Sequence, residues 1–268
     1  MTSIRVLMFG DVIGKVGRRA VALALPHLKK KYQPDIILAN VENLAHGVGV
    51  TPATFEELRQ AGVGFCTSGN HIWDKPDVVA MLEDHKIPLL RPANYPPGVP
   101  GRGAALVSVG DTSLLVINLM GRVFINQQFD CPFRAIDTIL AEYQDVPRAG
   151  TIVDFHAEAT SEKVAFGLYV DGRVSAVLGT HTHVPTADSA VLPQGTAYIT
   201  DVGMVGAKGT VIGVDKANII RKFLTQTPVA HELPESGICA VNAVCVTIDG
   251  TTQKAVEIKA IYEEVEVV

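Results

Sequence analysis

The sequence predicts a layered α/β protein, built either on a mixed sheet or on two packed sheets in one domain. In the first part of the chain, short apolar runs typical of buried strands alternate with helical segments. Hairpin patterns come later, the clearest of them turning at Asp249 and Gly250. The chain has 268 residues, 47% of them hydrophobic, which is enough to bury a large core. We therefore expect a single domain over residues 1–268.

The predicted strands are apolar runs too short to be helices. The first, IRVLMFG at residues 4–10, is apolar throughout, as expected of a strand buried on both faces. The last two alternate apolar and polar residues, which suits a sheet with one covered face. In order, the predicted strands are residues 4–10, 36–40, 64–71 (running into a loop), a short stretch near Leu89, 104–109, 113–118, 151–156, 174–178, 197–200, 239–248 and 254–264.

The predicted helices lie between these strands. Thr51 followed by Pro52 has the composition of a helix start, and Gly62 and Gly64 end that helix. The segment NYPPGVPGRG at residues 94–103 is rich in proline and glycine and predicts a loop. The other predicted helices are residues 18–31, 73–82, 132–143, 161–170 and 215–224.

Charge and cysteine usage exclude several classes of protein. The net charge is −5 and no basic stripe stands out, so a stable nucleic-acid complex is not expected, although a short nucleotide can still bind. The four cysteines have no CxxC spacing, which predicts buried thiols in a reducing compartment. Neither a leader peptide nor an apolar run of ~18 residues is visible, so we expect a soluble cytoplasmic protein without a membrane segment.

Side chains that commonly bind metals follow the ends of apolar runs and never form a compact finger. One strand or helix cannot bring such distant positions together, but a sheet can, if each strand delivers its ligand at the same edge. These side chains are Asp11, Glu42 with Asn43, Asn70 with His71, His156, and His181 with His183. Their arrangement predicts a two-metal hydrolase.

Each of these positions has a simpler interpretation when it is taken alone. Asp11 alone would be a helix N-cap, and His156 alone would be a core histidine. His181 and His183 could belong to a polar loop. Two residues apart after a strand, however, their side chains are expected to face the same way, as two adjacent metal ions require. Together, the five segments favour metal binding.

The residue types also suggest separate roles and a class of metal. Glu42 can bridge two cations through its two oxygens, and Asn70 can offer a neutral oxygen. His71 is better suited to donate a proton than to bind a metal. Two of the seven proposed ligands are anionic, so two divalent cations leave about two positive charges for a hydroxide and an anionic substrate. Imidazole mixed with oxygen ligands, without cysteine, favours iron, manganese or zinc.

The segment GDVIGKVG is neither a Walker A motif nor a dinucleotide fingerprint, because its spacing is wrong for both. Its glycines can still let backbone N–H groups approach an anion. Contacts of Lys15, Arg18 or His46 with substrate stay open at this stage.

The segments GDVIGKVGR, NVEN, GNHIWD, DFHAEATSEK and GTHTHVPTAD resemble the calcineurin-like metallophosphoesterases and, within them, the YmdB-like phosphodiesterase branch. The resemblance runs in order from Gly10 to about Gly206. It implies a four-layer α/β sandwich with two packed mixed sheets flanked by helices. It also implies iron or manganese as the metals, activity on phosphodiesters that include cyclic nucleotides, and a homo-oligomer.

The resemblance implies two ligand sets that share Glu42. One metal would be held by Glu42 together with Asp11, Asn43 and His183, and the other by Glu42 together with Asn70, His156 and His181; His71 would be the proton donor. The wider superfamily usually carries Asp-x-His in the first block, whereas Ile13 stands here at the position of that histidine. Asn43 is the expected substitute.

The resulting hypothesis is hydrolysis of a phosphodiester, preferably a 2',3'- or 3',5'-cyclic nucleotide, without a covalent enzyme intermediate. A water bridging the two metals would attack phosphorus in line, and His71 would protonate the departing alkoxide. A phosphomonoesterase and a non-catalytic metal- and nucleotide-binding regulator remain as alternatives. An amidohydrolase is disfavoured, because its HxH motif would stand early in a chain of eight βα units.

Overall fold

The computed structural model describes residues 3–268 and contains two six-stranded mixed sheets. The first sheet has the strand order β12-β11-β10-β1-β2-β3, and the second has the order β4-β5-β6-β7-β9-β8. The strands are β1 (Ser3–Val12), β2 (Ile36–Asn40), β3 (Phe65–Thr67), β4 (Ala104–Val109), β5 (Thr112–Met120), β6 (Gly150–His156), β7 (Ala176–Thr180), β8 (Ala190–Val191), β9 (Ala197–Ile199), β10 (Met204–Ala207), β11 (Gly237–Asp249) and β12 (Lys254–Val267). The helices are α1 (Gly14–Tyr32), α2 (Pro52–Ala61), α3 (Val78–Glu83), α4 (Pro132–Glu142), α5 (Thr160–Tyr169) and α6 (Lys216–Thr225).

Three apolar layers hold these elements in a four-layer sandwich. Strand β1 shows how alternation produces the layers: Val6 and Met8 face the second sheet, whereas Phe9 faces the helices. The layer between the sheets joins residues of β1 and β2 to residues of β5, β6, β7 and β9. The outer layers pack α1, α2 and α3 on the first sheet, and α4 and α5 on the second. The predicted four-layer α/β sandwich is therefore confirmed.

The parallel strands of both sheets end at one edge of the sandwich. Strand β1 pairs in parallel with β2, and β2 with β3. In the second sheet, β5, β6, β7 and β9 are parallel neighbours. Their carboxyl ends and the loops that follow them are where ligands bind in open α/β sheets. This edge is where the sequence predicts that the strands deliver their metal ligands.

Sequence patterns predicted the positions of most helices and strands correctly. Thr51 caps α2, since its hydroxyl accepts a hydrogen bond from the Thr54 N–H at 3.4 Å, and Pro52 occupies the first turn. The late hairpin is present, and its strand β11 also pairs with β1. No helix within residues 3–268 has both the length and the apolar character needed to cross a membrane.

Some boundaries differ from the prediction. The predicted helix 73–82 is wrong in its first half: turns occupy this region and α3 begins at Val78, because Pro76 removes a backbone donor at that point. Strands β8 and β10 were missed because they are two and four residues long. Among the cysteines, Cys131 is only half-buried, whereas Cys66, Cys239 and Cys245 are buried thiols as predicted. The single-domain interpretation stays a prediction.

Candidate metal centre

The predicted ligands come together at the carboxyl edge of the two sheets. Glu42 belongs to two groups of converging ligand atoms, one with His156 and His181 and one with Asp11 and His183. Within each group the atoms lie within 4.8 Å of one another. The Nε2 atom of His156 is 3.0 Å from Glu42 Oε1. The carboxylate of Glu42 is thus the shared member of two adjacent sites.

The two asparagines follow β2 and β3 at the same edge of the first sheet. Asn43 donates from Nδ2 to the Gly47 carbonyl at 2.9 Å, which leaves its Oδ1 atom 3.3 Å from His183 Nε2. Asn70 follows β3, and its Oδ1 atom is buried. All seven predicted ligands are therefore placed at one edge of the sandwich.

Two local arguments from the sequence need correction. Asp11 lies inside β1, near its end, and not one residue beyond a strand. His181 and His183 follow β7 in a loop with φ angles of 102° and 67°, so their common direction does not come from strand alternation. Positive φ is unusual for a histidine, and such backbone strain clusters at functional sites.

In each of the three histidines, one ring nitrogen lies within hydrogen-bonding distance of an acceptor, and the other ring nitrogen faces the cluster. His156 Nδ1 lies 2.8 Å from the Thr180 hydroxyl, and His183 Nδ1 lies 2.9 Å from the Ile212 carbonyl. His181 Nε2 lies 3.1 Å from Glu158 Oε2, while its Nδ1 is 3.0 Å from His156 Nε2. Metal-binding histidines are fixed in this way by acceptors behind them.

Unpaired buried atoms test whether the residues fit a metal. Asp11 Oδ1 and Asn70 Oδ1 are buried and have no hydrogen-bond partner among residues 3–268. Buried polar atoms normally have partners, so two orphaned oxygens beside facing imidazole nitrogens call for a cation. Carboxylate, amide and imidazole donors match iron, manganese or zinc. The residues therefore fit a pair of metal ions.

The ionisable groups of the cluster shift one another's pKa values. Burial opposes the ionised form of Glu42, but the charge and hydrogen bond of His156 and the charges of His71 and His181 together outweigh it and lower the pKa of Glu42 to about 2. Burial likewise disfavours charged His156, yet Glu42 and Asp11 raise the pKa of His156 to about 9. Burial and the charge of His156 lower the pKa of His181 to about 3. Burial raises the pKa of Asp11 to about 6. In the metal-free protein, one proton on His156 therefore balances the anionic cluster.

His71 lies beside the cluster and remains partly exposed. Its backbone N–H donates to Glu42 Oε2 at 3.2 Å, and its Nδ1 lies 2.7 Å from Asp74 Oδ2. The side chain is 37% exposed, so the other ring nitrogen can meet a substrate. Asp74 therefore orients the His71 ring, and the geometry suits a proton donor.

Several supporting residues were missed by sequence reasoning. Asp154, Glu158 and Lys163 all belong to the segment DFHAEATSEK, so the signal for them was present. Lys163 Nζ is buried and donates to Asp201 Oδ2 at 2.6 Å and to the Thr180 carbonyl at 2.7 Å. Asp201 Oδ2 also accepts from the Thr182 N–H at 3.1 Å. This ion pair holds the loop that carries the two histidines.

The basic residues of GDVIGKVGR, Lys15 and Arg18, pair with residues outside the cluster. Arg18 donates to Glu57 Oε2 and to the Leu44 carbonyl, both at 2.6 Å, and Lys15 pairs with Glu235 at 3.3 Å. His46 is exposed at a φ of 57°. His231 lies near Gly47, and its pKa is lowered by burial and by the charge of His71. The loop before β11 thus brings an additional imidazole towards the mouth of the site.

The chain is similar to known proteins over nearly its whole length. The family described as YmdB-like protein matches residues 7–261. A 2',3'-cyclic-nucleotide 2'-phosphodiesterase of Bacillus subtilis is 47% identical over 259 residues, which are 96% of each chain. The crystal structure of a protein from Thermus thermophilus is 43% identical with a TM-score of 0.90, over 97% of this chain and 99% of the other. That of a phosphatase from Mycoplasma pneumoniae is 36% identical with a TM-score of 0.91, over 100% of this chain and 95% of the other.

Proposed function

Because this chain belongs to the YmdB-like protein family, we propose that it hydrolyses small cyclic nucleotides, with 2',3'-cyclic nucleotides as the first choice, at a pair of metal ions that share Glu42. The chain is a phosphoric diester hydrolase, as the sequence predicts. The choice of substrate follows the Bacillus subtilis relative. The observation that carries the proposal is the membership of Glu42 in both groups of ligand atoms.

The residues that would hold each metal follow from the two groups. Glu42, Asn70, His156 and His181 would hold one ion, and Glu42, Asp11, Asn43 and His183 the other. When bound, the two cations would supply Lewis acidity, which activates a water molecule and neutralises charge on the phosphoryl oxygens. Iron or manganese, with zinc as the alternative, stays a prediction, as do the homo-oligomer, the cytoplasmic location and the absence of a stable nucleic-acid complex.

The protein itself contributes orientation and a proton. The acceptors behind the three imidazoles keep a lone pair of each ring directed at the cluster. Asp74 accepts the Nδ1 proton of His71 and so supports the imidazolium form, whose second proton, on Nε2, passes to the departing alkoxide and leaves a neutral imidazole. The Lys163–Asp201 pair keeps the histidine loop in place. The reaction needs no nucleophilic serine or cysteine.

Elemental analysis of the purified protein, paired with a diesterase assay before and after chelation, tests the proposal. We expect nearly two metals per chain, turnover of 2',3'-cyclic AMP that stops on chelation, and recovery on adding Mn²⁺. Parallel assays with 3',5'-cyclic AMP and with 3'-AMP separate a diesterase from a phosphomonoesterase. Full activity of the metal-free protein would overturn the proposal. Nucleotide binding without any turnover by the metal-replete protein would favour a non-catalytic regulator.

A further inference from the structure

A cleft of about 840 Å³ opens beside the metal centre. It lies between the loop that follows Leu90, the loop that follows β5, and helix α4, and we call it the arginine cleft. Neither the seven proposed ligands nor His71 line it. Its volume falls in the range of ~300–1,000 Å³ that is typical of small-molecule sites. The cleft is therefore large enough to hold a ligand of its own.

Positive charge is concentrated in the arginine cleft. Four arginines and two carboxylates line it, which gives a local charge of +2 in a chain whose net charge is −5. The arginines are Arg91, Arg102, Arg122 and Arg134; the carboxylates are Asp130 and Glu142. Positive side chains around a concave surface focus the electrostatic field and attract anions. The cleft thus selects a negatively charged ligand.

Three of these arginines have N–H groups that donate no hydrogen bond within residues 3–268. Arg91 is fully used, since it donates to the carbonyls of the loop at residues 92–100. Arg102 donates from one terminal nitrogen to the His85 carbonyl at 2.9 Å, but its Nε atom is buried and lacks a partner among residues 3–268. The side chains of Arg122 and Arg134 make neither an ion pair nor a hydrogen bond within the described chain.

The Nε atom of Arg102 is buried, so a ligand reaches this side chain through its other terminal nitrogen, Nη1, which makes no hydrogen bond within residues 3–268. Guanidinium groups bind phosphate oxygens through N–H donors, which suits them to phosphorylated ligands. The cleft therefore offers free guanidinium donors to a phosphate ester.

Aromatic side chains form the other walls. Tyr95, Phe129 and Tyr143 line the cleft, and the Tyr95 and Phe129 rings meet edge-to-face with centroids 4.7 Å apart. Aromatic faces bind nucleobases by stacking, which tolerates any base because every base has a π-face. Planar aromatic walls combined with free guanidinium groups match a nucleotide better than they match a simple anion.

The cleft and the metal centre are close neighbours. Met120, the last residue of β5, pairs with His156, and the Gly121 N–H donates to the His156 carbonyl at 2.9 Å. Arg122 follows directly. On the other side, Tyr95 packs edge-to-face on Trp73, which belongs to the segment that carries His71. The end of β5 and the segment that carries His71 therefore connect the cleft directly to the metal centre.

We propose that the arginine cleft is a second nucleotide-binding site, with the ligand's phosphate on Arg102, Arg122 and Arg134 and its base against Tyr95, Phe129 and Tyr143. The nucleotide can come from two sources. It can be a free mononucleotide, or it can be the residue that precedes the cyclic phosphate in a longer substrate. Binding in the cleft does not require metals at the cluster, so it is separable from the proposed reaction.

Binding of AMP to the chelated protein, measured by calorimetry, tests the site without the metal centre. We expect a Kd of about 1 mM or tighter for the wild type. The double variant R122Q/R134Q should bind at least about tenfold more weakly, because Gln removes the charge of both exposed side chains. Gln also suits the helix at Arg134, and Arg122 lies in the exposed loop after β5, so the fold should persist. The matched control is R221Q, the same change on the exposed helix α6.

Kinetics on the metal-loaded enzyme identify the source of the nucleotide. We compare the wild type with R122Q/R134Q by one ratio. It is kcat/KM for a dinucleotide that ends in a 2',3'-cyclic phosphate, divided by kcat/KM for 2',3'-cyclic AMP. A ratio that falls at least about tenfold places a neighbouring substrate residue in the cleft, and a constant ratio with lost AMP binding places a free nucleotide there. Failure of AMP to bind the chelated wild type, or equal AMP affinity of the wild type and the double variant, would overturn the proposal.

Discussion

The Nδ1 atom of His156 lies 2.8 Å from the hydroxyl of Thr180, the last residue of the neighbouring strand β7. The same hydroxyl donates to Asp154 Oδ1 at 2.6 Å, so its single proton is committed and it accepts from the histidine. Asp154 is fully buried and also accepts from Asn40 at 2.9 Å. This chain of contacts fixes the tautomer of His156 and leaves its Nε2 lone pair for a metal.

Replacing Thr180 with Val should weaken metal binding by about 10–100-fold, the usual effect of removing a group that orients a ligand. Valine keeps the shape of the side chain and its preference for strands, so the fold should persist. Competition with a chelator for Mn²⁺ measures the affinity. The matched control is T112V at the start of β5, where the hydroxyl is far from the cluster. Equal affinity of the T180V variant and the wild type would remove Thr180 from this role.

Gly69 should tolerate no side chain, because a Cβ atom there would lie 2.2 Å from Glu42 Oε2 and 2.4 Å from His156 Nε2. The G69A variant is expected to displace both ligands and to lose most bound metal, measured by elemental analysis. The matched control is G206A on β10, where the nearest atom to a new Cβ is Ile13 Cβ at 3.4 Å, an ordinary contact. Two metals per chain in G69A would contradict the close packing around Glu42.

The sequence could predict features of the site that depend on neighbouring residues in the chain, but not contacts between residues far apart in the chain. Polar residues next to apolar runs located the seven proposed ligands, because strand ends are visible in a local pattern. The loop geometry of His181 and His183 was not visible, because positive φ at histidine is imposed by its surroundings and not by residue type. Glu158 illustrates the same limit: its partner His181 is known only once α5 and β7 are placed side by side.

The order of the strands within the sheets could not be predicted from the sequence pattern either. Strand β11 pairs with β1 although more than two hundred residues separate them, and no local pattern specifies that pairing. The short strand β10 then joins the same sheet beside β1 and carries Met204 next to Asp11. The resemblance to a known family supplied the four-layer architecture, whereas alternation alone left a single mixed sheet as an equal possibility.

The H71A variant should lose about 10²–10⁴-fold of its turnover of 2',3'-cyclic AMP, because the alkoxide that leaves is a poor leaving group and needs a proton. The loss on bis(p-nitrophenyl) phosphate should be much smaller, since nitrophenolate leaves without one. Steady-state kinetics on both substrates give the comparison. The control is H27A, which removes an exposed imidazole on α1. Equal losses on the two substrates would exclude His71 as the proton donor.

Metal binding should strengthen as the pH rises from 7 to 9. In the metal-free protein, the pKa of His156 is raised to about 9, so its imidazole is protonated at pH 7 and cannot bind a metal until that proton leaves. The affinity for Mn²⁺ should therefore rise about tenfold per pH unit in this range and level off above it. Calorimetry in two buffers of different ionisation enthalpy should detect about one proton released at pH 7. A flat pH profile would show that His156 is already neutral.

Lys163 should be among the most sensitive positions for stability, although it touches no proposed ligand side chain. It is 1% exposed, and its partner Asp201 is fully buried. The K163M variant leaves that carboxylate without its counter-charge, so the free energy of unfolding of the chelated protein should fall by about 3–5 kcal/mol. The matched control is K259M, which breaks an exposed pair with Glu257 and should change the free energy of unfolding far less. Urea unfolding measures both variants, and similar losses in the two would mean that the buried pair does not hold the histidine loop.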